Sequence, residues 1–386
     1  MLEFAQSGPF TLGVEMELQI VDGASGALSA SAEQLLDGWT GPQMVRAELF
    51  QSMLELKTDI CLTAADAERS LRATAVPLLA RASELGVRFI AAGTHPTARY
   101  QDRHIFPAER YHGLIERNQW IARKLLIFGL HVHLGMPDPE MCIAVQNELL
   151  HDLGLLLAIS TSSPFSQGEA TGLASSRITA FEAMPTGGTP ELVADWSEFS
   201  TLVAALMRSG AILSMKDLWW DIRPSPGFGT LEIRVCDGLP TIRETCAVVA
   251  LSQALARRAG ARIAAGNGCS FPPAWRIREN KWRASRHGME ADLVIADDGT
   301  TVRCRDWLRI TLDELEAGGH LVGNTSYVPD LRRLADGAPT SAVRQLKVFE
   351  RTRDLDSVTL ALAEEFEDDV LGGATLTESE AGLGDC

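Results

Sequence analysis

The stretch GVEMEL at residues 13–18 alternates apolar and acidic side chains, a pattern typical of a half-buried β-strand. Successive side chains of a strand point to opposite faces, so Glu15 and Glu17 share one face. The two carboxylates would lie about 6.6 Å apart, where their repulsion is about 0.6 kcal/mol in water and about 2.5 kcal/mol at an effective dielectric constant of ~20. A bound cation would remove that cost, although a solvated strand face explains the pair equally well on its own.

A second charged strand face is predicted in QSMLELKTDI at residues 51–60. Here Glu55, Lys57 and Asp59 alternate with apolar residues and therefore share one side of the strand. Glu48 lies just upstream and could reach the same region from a loop, although by itself it resembles an ordinary surface acid.

The segment HVHLG at residues 131–135 predicts a third strand, with His131 and His133 on one face. Imidazoles at positions i and i+2 are suited to binding a metal or contacting a phosphate. The alternative is one hydrogen-bonded core histidine beside one exposed histidine.

Charged residues are densest in WWDIRPSPGFGTLEIRVCD. Asp221 with Arg223, and Glu232 with Arg234, repeat an acid-x-Arg pattern on two segments that a Pro/Gly-rich turn joins. Glu232 could bind a metal while Arg234 contacts a phosphate or carboxylate with two parallel hydrogen bonds. Salt bridges between strands, without any functional role, are the alternative.

Two further clusters carry cations suited to anionic ligands. Arg177 lies in SSRITAFEAMP, and Lys281 and Arg286 lie in ENKWRASRHG. In a chain with a net charge of −16, a local basic run is a candidate for contacting ATP phosphates, although either cluster could be a solvated charge run. The sequence has no GxxxxGK[ST] loop, no GxGxxG after a strand and no GxSxG elbow. Phosphate handling would therefore depend on metal ions and arginines.

The pattern along the chain predicts an α+β fold. Strands are predicted at residues 11–21, 53–60, 130–135 and 230–236. Helices are predicted at residues 66–85 (after the possible cap Thr63), 140–160, 190–210 and 241–265. The intervals between strands are too long for simple hairpins, and no linker divides the chain. We therefore expect a single α+β domain over residues 1–374 and a disordered tail at residues 375–386.

The composition of the chain limits which binding partners and which cellular compartment are expected. A net charge of −16 over 386 residues disfavours nucleic acid, whose binding needs clustered Lys and Arg. The longest apolar stretch, residues 153–159, is far shorter than the ~20 residues that span a bilayer, so we expect no membrane association. The seven cysteines form no CxxC pair and the N-terminus lacks a signal-peptide pattern, which favours reduced thiols and a cytoplasmic location.

These motifs resemble those of the bacterial carboxylate-amine ligases, also called type 2 glutamate-cysteine ligases, within the glutamine synthetase/guanido kinase-like superfamily. The matching runs lie in order between about residues 11 and 288. They are TLGVEMELQIVD, FIAAGTHP, GLHVHLGMPD, STSSPFSQGEATGLASSR, LWWDIRPSPGFGTLEIRVCD and ENKWRASRHG.

The resemblance implies a curved antiparallel sheet, flanked by helices, that holds ATP with Mg²⁺ (or Mn²⁺) and small-molecule substrates, often in a homodimer. The implied metal ligands are Glu15, Glu17, Glu55 and Glu232. The implied contacts to phosphates or the transferring group are His131, His133, Arg177, Arg223 and Arg234. The implied reaction is attack of a carboxylate, that of glutamate, on the γ-phosphate of ATP, followed by capture of the acyl phosphate by an amine such as that of cysteine.

Two alternatives remain open at the level of sequence. In a metal-dependent hydrolase, His131 and His133 would bind zinc and activate water, although the later strands supply Glu and Arg rather than further histidines. In a non-catalytic protein, the acidic face would only bind metal or nucleotide.

Overall fold

The computed structural model describes residues 2–101, 103–267 and 270–381, with side chains described as far as residue 372. The strands are β1 (Leu12–Asp22), β2 (Val45–Ala47), β3 (Met53–Lys57), β4 (Val87–Ile90), β5 (Gly129–Gly135), β6 (Phe165–Ser166), β7 (Glu169–Ala170), β8 (Gly187–Gly188), β9 (Trp219–Trp220), β10 (Ile222–Ser225), β11 (Thr230–Asp237), β12 (Asp292–Val294) and β13 (Thr301–Arg303). The helices are α1 (Ala32–Leu36), α2 (Ala64–Glu84), α3 (Glu109–Arg123), α4 (Pro139–Leu149), α5 (Leu153–Ile159), α6 (Arg177–Glu182), α7 (Trp196–Arg208), α8 (Ile242–Ala264), α9 (Ala274–His287), α10 (Cys304–Ala317), α11 (Val328–Ala335), α12 (Ser341–Thr352) and α13 (Leu355–Ala381).

Seven of the described strands form one antiparallel sheet in the order β10-β11-β5-β1-β3-β2, and β4 also pairs with β1. The long strand β1 is central, because its first half pairs with β5, its middle with β3 and its last residues with β4. Helices lie against this sheet. The expected α+β class, with an antiparallel sheet flanked by helices, is confirmed.

The sheet has one apolar and one polar face around β1. Val14, Met16 and Leu18 are fully buried and belong to the main hydrophobic core. Helices α2 and α8 pack against this side of the sheet. Because side chains alternate along a strand, Glu15 and Glu17 must then point to the opposite, polar face.

The start of α2 follows from the sequence. Thr63 accepts a hydrogen bond from the Asp66 backbone N–H, and the Asp66 carboxylate accepts one from the Thr63 N–H, which forms a capping box. The predicted cap at Thr63 is confirmed.

Residues 140–160, predicted as one helix, form two helices, α4 and α5, that meet at a bend of 67°. The side chains of α5 are all buried, and the bend lets this helix pack against α9. Asp152, in the break, is buried and forms an ion pair with Arg258, with 2.5 Å between Oδ2 and Nη2. Tertiary packing therefore overrides a helical period that the sequence carries through the break.

The helix predicted at residues 190–210 begins later, at Trp196, because Asp195 caps it by accepting a hydrogen bond from the Glu198 N–H at 2.8 Å. At the other end of the chain, α13 continues through Ala381. Of the tail expected to be disordered, residues 375–381 fall within the bounds of α13, and residues 382–386 lie outside the described residues. The main core draws members from Leu12 to Val370.

Among the described residues, no single helix has both the length and the apolar composition needed to cross a membrane, and the bent pair α4 and α5 meets that test when its two helices are taken together.

Candidate active site

A cavity of about 580 Å³ opens over the polar face of the main sheet. It is lined by most of the side chains that the sequence singles out: Glu15, Glu17, Glu55, His131, His133, Arg177, Arg223, Glu232 and Arg234. Residues far apart in the chain therefore meet in one place.

Strand register brings these side chains together. Across β1 and β5, Glu15 lies opposite His131, and across β1 and β3, Glu17 lies opposite Glu55. Glu232 on β11 lies opposite His133 on β5. Four adjacent strands thus present their polar faces to the same cavity.

Two overlapping groups of side chains have the spacing of a metal site. In one group, ligand atoms of Glu15, His131 and Glu232 all lie within 4.8 Å of one another, and in the other so do those of Glu17, Glu55 and His131. Each group combines two carboxylates with one imidazole. Oxygen-rich sites of this kind suit Mg²⁺ or Mn²⁺ better than zinc, which favours nitrogen and sulfur ligands.

The electrostatics of the second group favour a cation. Burial raises the pKa of Glu17 to about 7, with Arg177 opposing the rise and Glu48 adding to it. Burial also raises the pKa of Glu55, and the carboxylates of Glu15 and Glu48 contribute. Crowded, desolvated carboxylates are costly to ionise, so a divalent cation beside them would relieve that cost. The side chains present fit a metal ion.

The two histidines are held by hydrogen bonds within the cavity. Burial and the charge of Arg234 lower the pKa of His131 to about 4, with Glu15 opposing them, so this imidazole is neutral at pH 7. Its Nδ1 lies 3.2 Å from Glu15 Oε2, and a neutral ring that donates from Nδ1 leaves its Nε2 lone pair free for a cation. His133 Nδ1 lies 2.9 Å from Thr230 Oγ1, which orients the second ring.

The arginines of the late strands enclose Glu232. Arg223 donates from Nε to Glu232 Oε2 at 3.1 Å, and Arg234 donates from Nη1 to Glu232 Oε1. Although burial opposes them, these cations hold the pKa of Glu232 well below its usual range. Arg234 lies two residues after Glu232 and therefore shares its face of β11, next to a bulge between Ile233 and Cys236.

Two guanidinium groups that line the cavity each keep a free donor. Within the described residues, the buried Nε atoms of Arg177 and Arg234 have no hydrogen-bond partner. Leaving a buried charged donor unpaired is expensive, so the cavity is prepared for an anionic oxygen. Phosphate or carboxylate would satisfy these donors.

Lys281 and Arg286, expected to contact ATP phosphates, are not among the described residues that line this cavity. The Lys281 ammonium is buried in α9 and forms ion pairs with Asp221 and Glu182. Arg286, near the end of the same helix, is exposed. The structure thus places these two residues apart from the other predicted site residues, because a charge run does not reveal which side of its helix packs against the protein.

Sequence reasoning missed part of the cavity wall. Arg46 lies opposite Glu55 across β2 and β3, and Tyr111 donates from its hydroxyl to Glu48 Oε2 at 3.0 Å. Arg46 lies two residues before Glu48 in the sequence, and this spacing is the signal that could have identified Arg46. Further lining residues carried no recognisable pattern: Arg110, Lys216, Trp219 and Phe228.

Comparison with known proteins supports the interpretation of this cavity as an active site. The model of the family described as "Glutamate-cysteine ligase family 2 (GCS2)" matches residues 11–361 of this chain. A protein of Bdellovibrio bacteriovorus, provisionally named glutamate-cysteine ligase 2, is 44% identical over 371 residues, which cover 96% of this chain and 98% of that protein. A protein of Thermobifida fusca with the same provisional name is 41% identical over 375 residues, with 95% and 93% of the two chains covered.

Solved structures share the fold at low identity. A glutamate-cysteine ligase from Francisella tularensis, solved in complex with AMP, has a TM-score of 0.67 at 14% identity, with 100% of this chain and 96% of that chain covered. A bifunctional glutathione synthetase from Pasteurella multocida has a TM-score of 0.66 at 13% identity, with 94% of this chain and 53% of that chain covered.

The family match covers most of the chain, and two relatives are more than 40% identical to it. Both findings agree with the chemistry of the cavity. Membership implies an ATP-dependent ligase that uses a divalent metal and small-molecule substrates. This chain belongs to glutamate-cysteine ligase family 2.

Proposed function

We propose that this protein is a carboxylate-amine ligase that joins the γ-carboxylate of glutamate to the amine of cysteine through an acyl phosphate, and releases ADP and phosphate. One observation carries the proposal. Two groups of side chains suited to a metal ion, and two arginines with unpaired buried donors, line the same cavity. The provisional names of the relatives support the choice of glutamate and cysteine.

In this proposal, Glu15, Glu17, Glu55 and Glu232 hold Mg²⁺, or Mn²⁺ in its place, with the neutral imidazole of His131. When bound, a divalent cation neutralises phosphate charge and polarises the phosphorus–oxygen bonds. His133, fixed by Thr230, lines the same cavity and contacts the phosphates or the metal.

The arginines stabilise the group in transfer. Arg234 and Arg177 offer their free Nε donors to oxygens of the transferring phosphoryl group. Arg223 is held by Glu232 and by the Met215 carbonyl oxygen. Because these contacts hold the Arg223 side chain in one conformation, it places positive charge at the cavity wall with little loss of conformational entropy when a ligand binds.

The bonds and charges balance across two steps. A γ-carboxylate oxygen attacks the γ-phosphorus of ATP while the bond from that phosphorus to the ADP oxygen breaks. The amine nitrogen then attacks the acyl carbon, phosphate leaves with its bonding electron pair, and the amine loses a proton to a basic group. The products are the amide, ADP and phosphate.

The test is phosphate release from Mg-ATP with glutamate and a panel of amines, using glutamate labelled with ¹⁸O in its γ-carboxylate. An acyl phosphate mechanism transfers one labelled oxygen to phosphate, and the proposal predicts both this transfer and the highest rate with cysteine. ATP binding without phosphate release above background with any amine would instead support a non-catalytic nucleotide-binding protein.

We also propose a cytoplasmic location and a homodimer. The described cysteines Cys61, Cys142, Cys236, Cys246 and Cys304 are free and buried, which fits a reducing compartment. The homodimer rests on the resemblance of the sequence, and light scattering during size-exclusion chromatography would test it.

A further inference from the structure

Lys57 lies within the acidic cluster of the cavity. It is the last residue of β3 and lies directly opposite Glu15 on β1. Its Nζ is 2.6 Å from Glu15 Oε1 and also 2.6 Å from Glu55 Oε1. The side chain retains 30% exposure, whereas that of Glu55 retains 5%. One ammonium group thus bridges two carboxylates from neighbouring strands.

These two carboxylates belong to different metal-suited groups. Glu15 belongs to the group with His131 and Glu232, and Glu55 to the group with Glu17 and His131. Lys57 therefore contacts one carboxylate of each group. Glu232 already has its own cations in the late strands, so the ammonium compensates the part of the cluster that those arginines do not contact.

The ammonium and a divalent cation compete for the same two carboxylates. Both need close contact with carboxylate oxygen, and two cations at one pair of carboxylates repel each other. The lysine chain is long and flexible, with a compact charge that solvates readily. Its partial exposure provides a path out of the cluster.

We propose that Lys57 is a resident cation, which holds the acidic cluster together in the metal-free chain and is displaced from Glu15 and Glu55 when a divalent metal binds. This inference rests on the proposed metal site of the ligase. The displaced ammonium stays in the cavity wall, where it is available to an anionic ligand. Metal binding is thereby coupled to the exposure of a positive charge.

The experiment measures Mn²⁺ affinity by electron paramagnetic resonance, without nucleotide, in the Lys57→Gln variant. Lys216→Gln is the matched control, because Lys216 lines the same cavity and has no ion pair among the described residues. Removing the competing ammonium should tighten Mn²⁺ binding about ten-fold more in Lys57→Gln than in Lys216→Gln, the order expected for one charge-assisted contact. Equal affinities, or weaker binding in Lys57→Gln, would overturn the proposal.

A second measurement uses the unaltered chain and so does not depend on the folding of a variant. The Lys57 ammonium is held 2.6 Å from both Glu15 Oε1 and Glu55 Oε1, so in the metal-free chain its amine should acetylate slowly. Mass spectrometry should show faster acetylation of Lys57 when Mg²⁺ is added, with Lys216 unchanged. An unchanged or slower rate at Lys57 would contradict displacement.

Neither readout requires turnover. A chain that shows both effects but forms no amide with any amine would refute the proposed ligase reaction and leave the exchange of Lys57 for metal intact.

Discussion

Glu15 and His131 face each other across adjacent antiparallel strands, with 3.2 Å between Glu15 Oε2 and His131 Nδ1. Burial works to raise the pKa of Glu15, but the hydrogen bond from His131 and the positive charge of Lys57 hold that pKa well below its usual range. The pair therefore supplies an ionised carboxylate beside a neutral imidazole, and each of these groups can act as a ligand of a divalent metal.

Replacing Glu15 with Gln should abolish turnover while the chain remains folded. The change removes one metal-binding charge but keeps the size of a side chain that lies on the polar face. Metal catalysis contributes several kcal/mol, so phosphate release should fall at least about 100-fold. Circular dichroism should be unchanged. Glu33→Gln makes the same charge change at an exposed position of α1 and should retain full activity; equal rates in the two variants would rule out Glu15 as a metal ligand.

Replacing Arg234 with Lys should not be conservative. The guanidinium binds Glu232 through Nη1 and keeps Nε free, whereas a single ammonium cannot serve both directions. Losing one donor to a transferring group costs roughly 100-fold in rate, measured as phosphate release at saturating substrates. Arg286→Lys makes the same exchange outside the cavity. Near-normal turnover of Arg234→Lys would remove this residue from the proposed phosphate contacts.

Lys281→Met should destabilise the protein rather than weaken nucleotide binding. The variant leaves the fully buried Asp221 carboxylate without its partner, which costs about 3–5 kcal/mol. Urea unfolding should report this loss, while ATP affinity of the folded fraction stays near that of the unaltered chain. Arg286→Met, at an exposed position, should leave both quantities unchanged. Weaker ATP binding with unchanged stability would restore Lys281 to the nucleotide site.

The stability of the protein should fall as pH decreases from 6.5 toward 4, in part because of His95. This buried imidazole lies with Nε2 2.9 Å from the Gly26 carbonyl oxygen, and its Nδ1 accepts hydrogen bonds from the Thr97 and Ala98 N–H groups. Burial lowers the pKa of His95 from 6.5 to about 4, with the hydrogen bond to Gly26 opposing the change. The unfolded chain therefore binds more protons in this pH window, and the free energy of unfolding rises with pH.

The contribution of His95 is about 3 kcal/mol, fully present above pH 6.5 and lost as pH falls to about 4. Urea unfolding at a series of pH values should show a shallower dependence in His95→Gln than in the unaltered chain. Identical pH dependences in the two proteins would show that His95 is protonated in the folded state as readily as in the unfolded one.

The local geometry of the site could be predicted from sequence because strand alternation is a short-range property. The period of two places Glu15 with Glu17, and His131 with His133, on single faces. The order of the strands, β10-β11-β5-β1-β3-β2, could not be predicted in this way, because it depends on contacts between distant segments. The pairing of Glu15 with His131 therefore appears only in the folded chain.

Side chains outside the strands were harder to assign. Lys281 belongs to a basic run, but its burial against Asp221 depends on how α9 packs. The break between α4 and α5 likewise follows from packing against α9 rather than from a helix-breaking residue. Lys57 could be placed on the charged face of its strand, yet its contact with two carboxylates requires the register of β1 and β3.

The central claim is that carboxylates from separate strands converge on divalent metal beside ATP. Crystals grown with Mn²⁺ and a non-hydrolysable ATP analogue test it directly through anomalous diffraction at the manganese edge. The account predicts anomalous peaks in contact with Glu15, Glu17, Glu55 and Glu232, with the phosphates of the analogue on the open side of the metal. Nucleotide bound with its manganese away from these carboxylates would contradict it.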